Sequence, residues 1–212
     1  MFSVIFDMDG TLLDTQKICV PAWDYAGDNQ GYKNVGKHIE NVCGMNEKGW
    51  TDYLLKHFPN IDINKFKSEM RQYIIDNLKV RYKKGAPQLL EFLKKNNIKI
   101  AIASGSSRET IKHHLTEVNG LEYFDAFVGS HDVVNGKPAP DVFLKAAQLI
   151  ATNPEDCFIF EDSANGIIAG HNAGMKCIGV PDIVEFSQEI KNIMFAELQD
   201  LSEAIPILEK YL

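Results

Sequence analysis

The chain has 212 residues, 45% of them hydrophobic and 24% charged, a balance that suits a globular protein with one sizeable core or a core plus a small second module. Its formal net charge of −7 argues against nucleic acid or an anionic membrane surface as a main partner, and leaves room for a small phosphorylated metabolite, which answers to local charge. No stretch approaches the roughly 20 apolar residues that cross a bilayer, no basic leader precedes the first apolar run, and the four cysteines (Cys19, Cys43, Cys157, Cys177) show no Cys-x-x-Cys spacing, so the sequence predicts a cytoplasmic protein with reduced thiols.

Taken in order, Phe2 to Phe6 reads as a buried strand, apolar on both faces, that stops abruptly at Asp7-Met8-Asp9-Gly10-Thr11. Asp14 to Gly27 has helical spacing, with Ile18, Ala22 and Ala26 on one face and Pro21 required to sit early. The polar stretch around Gly27, Gly31 and Gly36 gives no clear assignment. Asn46 to Phe58 and Asn64 to Arg81 read as helices, the first closed by Pro59. At Lys83-Lys84-Gly85 the texture changes. Helices are predicted over Ala86–Asn96, Ser107–Val118, Asp141–Ile150 and from Ser163 to Ala173, with Gly174 suited to the position after the last helix. Strands are predicted over Ile98–Ala103, Ala126–Gly129, Cys157–Phe160 and Lys176–Val180, and Asp200–Tyr211 reads as a closing helix.

Strands and helices that alternate predict an α/β fold with a doubly wound, mainly parallel, Rossmann-like sheet. The first strand is too apolar to stand outside that sheet. The all-helical block is then an insertion, giving residues 1–14 and 83–212 as a core and 15–82 as a helical domain, with connections near Leu13–Gln16 and Val80–Lys84 acting as hinges.

In open α/β sheets, ligands bind beyond the carboxyl ends of the strands. Three predicted strands end there in polar residues: the first in Asp7 and Asp9, the second in Ser104, the fourth in Glu161 and Asp162. One such ending is an ordinary turn; three at one edge, each after an apolar run, are a site. Four carboxylates together repel, and a hard divalent cation such as Mg2+ resolves that repulsion. Lys137, in a Gly-Lys-Pro loop, adds a point positive charge suited to phosphate, and Ser104 adds a hydroxyl donor. The constellation suits phosphoryl transfer, with a carboxylate as nucleophile.

Asp7-Met8-Asp9-Gly10-Thr11, Ser104 after a strand, Lys137 before a helix and Glu161-Asp162 after a strand resemble, in order and context, the four motifs of the haloacid dehalogenase-like phosphohydrolase superfamily. The resemblance covers the whole chain. It implies that Asp7 attacks phosphorus and forms an aspartyl-phosphate. Asp9 protonates the leaving oxygen and then activates water. Mg2+ sits among Asp7, Asp162 and the backbone carbonyl of Asp9, with Glu161 assisting, so that Asp7, Asp9, Glu161 and Asp162 make the metal set. Ser104, Gly105 and Lys137 hold the phosphoryl group. The helical insertion resembles the cap of the β-phosphoglucomutase-like and phosphoglycolate phosphatase-like branches, where the cap closes over the site and carries substrate selectivity.

That resemblance leaves phosphatase and hexose-phosphate mutase as the enzymatic readings. The mutase has a cap-side histidine, and an ungapped count places Cys19 there; it also has an arginine for a distal phosphate, where Gly44-Met45-Asn46-Glu47-Lys48 places Glu47. Both departures favour a phosphatase acting on a sugar phosphate or related phosphomonoester. Ser106, Ser107 and Arg108, at the start of a helix, are candidates for a distal phosphate or other substrate group, with a solvated helix terminus as the plainer reading of Arg108. A non-catalytic phospho-receiver is the reading from another class. It shares the sheet and the strand-end Asp but has no use for Asp9 or for a helical insertion. Nothing in the sequence demands more than a monomer.

Overall fold

The computed structural model describes residues 2–42, 45 and 47–212; Cys43, Gly44 and Asn46 of the readings above lie outside the described residues. The chain divides into two compact units, Met1–Asp14 with Val80–Leu212, and Thr15–Lys79. The first is built on a six-stranded sheet of β1 (Ser3–Phe6), β2 (Lys99–Ala103), β3 (Ala126–Val128), β4 (Cys157–Glu161), β5 (Lys176–Gly179) and β6 (Ala196–Glu197). Its order is β3-β2-β1-β4-β5-β6, and every pairing is parallel. The order reverses between β1 and β4. Ligand sites of open α/β sheets lie at such a reversal, because the helices that follow the two strands leave to opposite faces.

Helices α4 (Ala86–Lys95), α5 (Arg108–Glu117), α6 (Asp141–Leu149), α7 (Ala164–Asn172), α8 (Gln188–Lys191) and α9 (Ile205–Leu208) belong to this unit, and α1 (Cys19–Asp28), α2 (Glu47–His57) and α3 (Ile63–Asn77) to the other. Strand side chains alternate between the two faces of the sheet. Val4, Phe6, Ile100, Ile102, Phe158 and Phe160 meet Leu89, Leu90 and Leu93 of α4, Ile111 and Leu115 of α5, and Leu201 and Leu208 near the C-terminus. Ile5, Ala101, Ala103 and Ile159 meet Phe143, Ala146 and Ala147 of α6 and Ile167 of α7. Both faces are covered, which is why the strands read as continuous apolar runs. Each fully buried Leu, Ile or Phe contributes about 1.5–3 kcal/mol.

Predicted and observed elements differ in several places, and the helix expected over Asn64–Arg81 is Ile63–Asn77, with Leu78 extended. Asp200–Tyr211 is not one helix: Leu201–Glu203 and Glu209–Tyr211 are 3-10 turns around the four-residue α9. Pro206 has no N–H to give an i−4 carbonyl, yet Leu201, Ala204 and Leu208 are all fully buried. The strand β6 carries no apolar run and was not predicted. Helix α1 starts at Cys19 rather than Asp14, which puts Pro21 in its first turn, where an N–H has no helical partner to lose.

The helical unit has its own core. The buried Trp23 packs its ring against Trp50 (5.6 Å between centroids) and edge-on against Phe66 (5.5 Å), so these tryptophans do the work of packing. Cys157 and Cys177 are buried thiols of the sheet unit, and burial pushes them up to about 11 and about 12. Among the described residues no helix is long and apolar enough to cross a membrane.

The chain leaves and re-enters the sheet unit side by side. The Asp14 N–H donates to the Arg81 carbonyl (2.8 Å) and the Lys83 N–H to the Leu12 carbonyl (2.9 Å), around an antiparallel bridge between Leu13 and Tyr82. The Lys83 ammonium, half-buried, is paired with Asp182 at 2.5 Å.

Candidate active site

Asp7 is the first residue past β1, and its N–H donates to the Phe160 carbonyl at 2.9 Å, which carries the β1–β4 ladder one step beyond the strand. Its carboxylate is thereby set beside the end of β4, where Glu161 and Asp162 follow. All three residues are buried, at 6%, 1% and 6% exposure. One carboxylate oxygen from each lies within 4.8 Å of the others. Burying three carboxylates so close together requires cations.

Lys137 supplies one. It sits in the loop between β3 and α6, with its side chain 7% exposed. Its ammonium donates to Asp7 Oδ1 at 2.5 Å, to Glu161 Oε1 at 2.6 Å and to the Ala103 carbonyl at 3.2 Å. It lies 4.8 Å from the centre of the Phe143 ring, a further site of cation stabilisation. Burial works against the charge on Lys137, and Asp7 and Glu161 outweigh it and hold the ammonium above its usual range. Burial pushes the carboxyl of Asp7 up to about 8, against the pull of Lys137 and with Glu161 and Asp9 adding to the rise. Burial, then Glu161 and Asp7, likewise raises Asp162 well above the carboxylate range. With all three carboxyls ionised, one ammonium would leave a deficit of positive charge, which is why Asp7 and Asp162 hold their protons to higher pH.

That deficit is what a divalent cation fits. The donor set is all oxygen, with no imidazole or thiolate among the three residues, which suits Mg2+ better than zinc or copper. Glu161 spends Oε1 on Lys137 and accepts at Oε2 from the Ser163 N–H (2.7 Å) and Oγ (2.9 Å). Asp162 accepts at Oδ1 from the Thr11 hydroxyl at 3.1 Å.

Several supporting residues carried little signal in the sequence. Ser163 was legible only as the cap of α7, which it is, accepting from the Gly166 N–H at 3.1 Å; it also seats Glu161. Gly166 matters because a Cβ there would stand 1.8 Å from Glu161 Oε1 and 1.9 Å from its Cδ. A glycine inside a helix, costing about 1 kcal/mol relative to alanine, was the available hint. Thr11 was readable only through its place in the first motif.

Asp9 stands apart from the three metal-competent carboxylates. Its Oδ2 accepts from the Ser106 hydroxyl at 2.7 Å and the Ser104 hydroxyl at 3.3 Å. Ser104 follows β2, with its N–H on the Val128 carbonyl (3.0 Å) and its Oγ accepting from the Ser106 N–H (3.0 Å). Gly105 lies exposed between them. The other two residues of this turn are engaged elsewhere. Ser107 caps α5, accepting from the Thr110 N–H at 3.2 Å. Arg108 lies on Asp132 through Nε–Oδ2 (3.2 Å) and NH2–Oδ1 (3.0 Å), and Asp132 also accepts from the Gly129 N–H at 2.8 Å. In the helical unit, the Glu47 carboxylate pairs with Lys67 (2.9 Å) and Arg71 (3.4 Å), and the Lys67 contact, then burial opposing it, leaves its pKa below the usual range. Half-buried Cys19 begins α1.

Comparison with known proteins gives a concordant result. A family model described as haloacid dehalogenase-like hydrolase matches residues 4–180. A bifunctional riboflavin kinase/FMN phosphatase of Arabidopsis thaliana is 34% identical over 192 residues, which are 85% of this chain and 48% of that enzyme, so the chain spans about half of its length. A phosphorylated carbohydrates phosphatase of Thermotoga maritima is 29% identical over 182 residues, 84% of each chain. Among solved structures, a β-phosphoglucomutase from Clostridium difficile superposes with a TM-score of 0.80 at 25% identity, over 100% of this chain and 97% of that one.

Proposed function

The chain belongs to the haloacid dehalogenase-like hydrolase family and is a phosphoric monoester hydrolase, and from that premise we propose that it hydrolyses a small phosphorylated metabolite, a sugar phosphate or related monoester, through an aspartyl-phosphate on Asp7. The observation that carries this reading is the buried group of Asp7, Glu161 and Asp162 with a single ammonium, Lys137, on two of them. Such an enclosure calls for a divalent cation, and with the cation and Lys137 both present a dianionic phosphoryl group could lie against the Asp7 carboxylate.

Asp7, Asp162 and the backbone carbonyl of Asp9 would hold Mg2+, with Glu161 assisting by its charge. When bound, the cation would supply positive charge to offset the repulsion between the phosphoryl oxygens and the carboxylates. An Asp7 oxygen attacks phosphorus as the ester bond to the leaving oxygen breaks, and Asp9 delivers a proton to that oxygen. Water then attacks the aspartyl-phosphate, Asp9 takes its proton, and phosphate leaves with the Asp7 carboxylate restored. Lys137 offsets charge on Asp7 and on the transferred group, and the donors around Ser104 and Gly105 steady the phosphoryl oxygens. The residues of the helical unit would form a cap that selects the substrate.

The test is release of phosphate from p-nitrophenyl phosphate, with and without Mg2+. Turnover that stops in EDTA and returns with Mg2+, together with a hydroxylamine-labile phosphoryl label on the protein, is expected. Metal-independent turnover, or correctly folded protein without turnover, would sink the reading. A panel of sugar phosphates, phosphoglycolate and nucleotides under the same conditions identifies the substrate class. Gly166→Ala is expected to cost about 10²-fold in kcat by unseating Glu161, and with it Lys137; an unchanged kcat would show that Glu161 can sit elsewhere.

A mutase is the second reading, favoured by the likeness to a solved β-phosphoglucomutase. Against it stand Arg108, held on both oxygens of Asp132, and Ser107, occupied as a cap. Glucose 6-phosphate formed from β-glucose 1-phosphate faster than free phosphate, with a bisphosphate primer, would reverse this order.

A further inference from the structure

Ser106 has no task in the reaction just described, yet its hydroxyl lies 2.7 Å from Asp9 Oδ2. Its backbone is held on both sides. The N–H donates to Ser104 Oγ at 3.0 Å, and the carbonyl accepts from the Ser130 N–H at 2.9 Å. That close approach of the segment after β3 depends on Gly129, where a Cβ would meet the Ser106 carbonyl oxygen at 2.8 Å and the Arg108 nitrogen at 2.7 Å. Capping of α5 falls to Ser107, so nothing in the helix requires a hydroxyl at 106.

Asp9, by contrast, stands past the end of the β1 ladder. Its neighbour Gly10 has φ +85°, and the turn that follows ties the Leu12 and Leu13 N–H groups to the Met8 carbonyl. The turn fixes the Asp9 backbone and leaves its two side-chain torsions to be set by contacts. Two hydroxyls on one carboxylate oxygen are among those contacts: Ser106 at 2.7 Å and Ser104, longer, at 3.3 Å.

We propose that Ser106 is a positioning residue for the acid–base carboxyl, holding Asp9 in the orientation from which it reaches the leaving oxygen, rather than a contact for a distal group of the substrate. The inference rests on the proposed role of Asp9. A carboxyl held by its neighbours can serve as general acid without first ordering itself, and a proton donor in place contributes about 10²–10⁴-fold. The longer Ser104 bond retains part of that alignment.

The test uses two esters of the same shape. Phenyl phosphate expels a more basic oxygen than p-nitrophenyl phosphate and so depends more on proton donation. In kcat/KM, which reports the step in which the leaving group departs, Ser106→Ala is expected to lose about tenfold or more on phenyl phosphate and much less on p-nitrophenyl phosphate. KM should stay within about twofold of the parent, and Ser106→Thr should restore most of the loss. Equal losses on the two esters, a change confined to KM, or no loss at all would overturn the proposal. If Ser106→Ala does not fold, Ser106→Cys, a weaker donor of similar size, carries the same comparison. Failure of the underlying reading looks different: the parent hydrolyses neither ester, or Asp9→Asn turns over both as the parent does.

Discussion

Asp7→Asn is expected to abolish turnover while stabilising the metal-free protein. The loss follows from the proposed role of Asp7: an amide is a poor nucleophile toward phosphorus, and kcat should fall by at least about 10⁴-fold. The gain follows from burial. The Asp7 carboxyl rises from 3.8 to about 8 on folding, first because it is desolvated, with Lys137 opposing and Glu161 and Asp9 adding. A carboxyl whose folded pKa is raised contributes stability that is complete below its unfolded value and is lost as pH rises through the folded one. The metal-free parent should therefore weaken between about pH 4 and pH 8, the window set by those two values. Asparagine carries no charge to bury and keeps an oxygen that can accept from Lys137. Thermal unfolding in EDTA should show the variant and parent close together at about pH 4, with the variant ahead at about pH 8.5, by about 2–4 °C for each kcal/mol regained. Saturating Mg2+ should close the gap, because it stabilises the ionised parent. A variant that is inactive and no more stable than the parent at the higher pH would mean that the cost of burying this carboxylate is met in another way.

Lys137→Met should fail in both respects. The volume is kept, but Asp7 and Glu161 lose the ammonium they share at 2.5 and 2.6 Å. Removing one member of a buried ion group strands the rest, at about 3–5 kcal/mol. Loss of a charge directed at the reacting group should also cost about 10²–10³-fold in kcat. Urea unfolding in EDTA measures the first effect and p-nitrophenyl phosphate turnover the second. Mg2+ should recover part of the stability, since it restores positive charge, and little of the rate. Equal stability of variant and parent in EDTA would show that Lys137 is not what makes this carboxylate cluster tolerable. The two substitutions thus share an effect on rate and oppose each other in stability, a pattern that general damage to the fold does not produce.

What was legible in the sequence is what local chemistry writes there. Strands covered on both faces appear as apolar runs, and a run such as Val4-Ile5-Phe6 that ends in two carboxylates announces a site at that end. Asp200–Tyr211 read as one helix and does bury Leu201, Ala204 and Leu208, but apolar spacing does not report whether the hydrogen-bond ladder is unbroken, and Pro206 interrupts it. The strand β6 owes its existence to the pairing of Ile178 with Ala196 and Gly179 with Glu197, and two residues leave no pattern of their own. In the site, Asp7, Glu161 and Asp162 stood out because charges that end apolar runs need a reason, and Lys137 because a lone cation in a Gly-Lys-Pro loop suits the group they form. Ser106 stood out only as a candidate for a distal phosphate at a helix start, and nothing local in the sequence pointed it toward Asp9. Its contact with Asp9 spans 97 positions and arises from the register that sets Phe6 against Ile102. Gly166 is subtler still, because its contribution is the room it leaves for Glu161.

The bridged segments at 12–14 and 81–83 bear on how such a chain can be assembled and altered. Because the chain crosses back beside the point where it left, the sheet unit meets everything from residue 15 to residue 79 as it would meet a tight turn. Closing a flexible loop grows costlier only with the logarithm of its length, about 0.6 kcal/mol for each doubling. A compact stretch that returns its ends together spares the sheet most of even that cost. The strand that leads into Asp7 can thus come first in the chain, far in sequence from both strands it pairs with, and still find them. As far as the sheet is concerned, the intervening segment can vary in length so long as its two ends still meet at Leu13 and Tyr82.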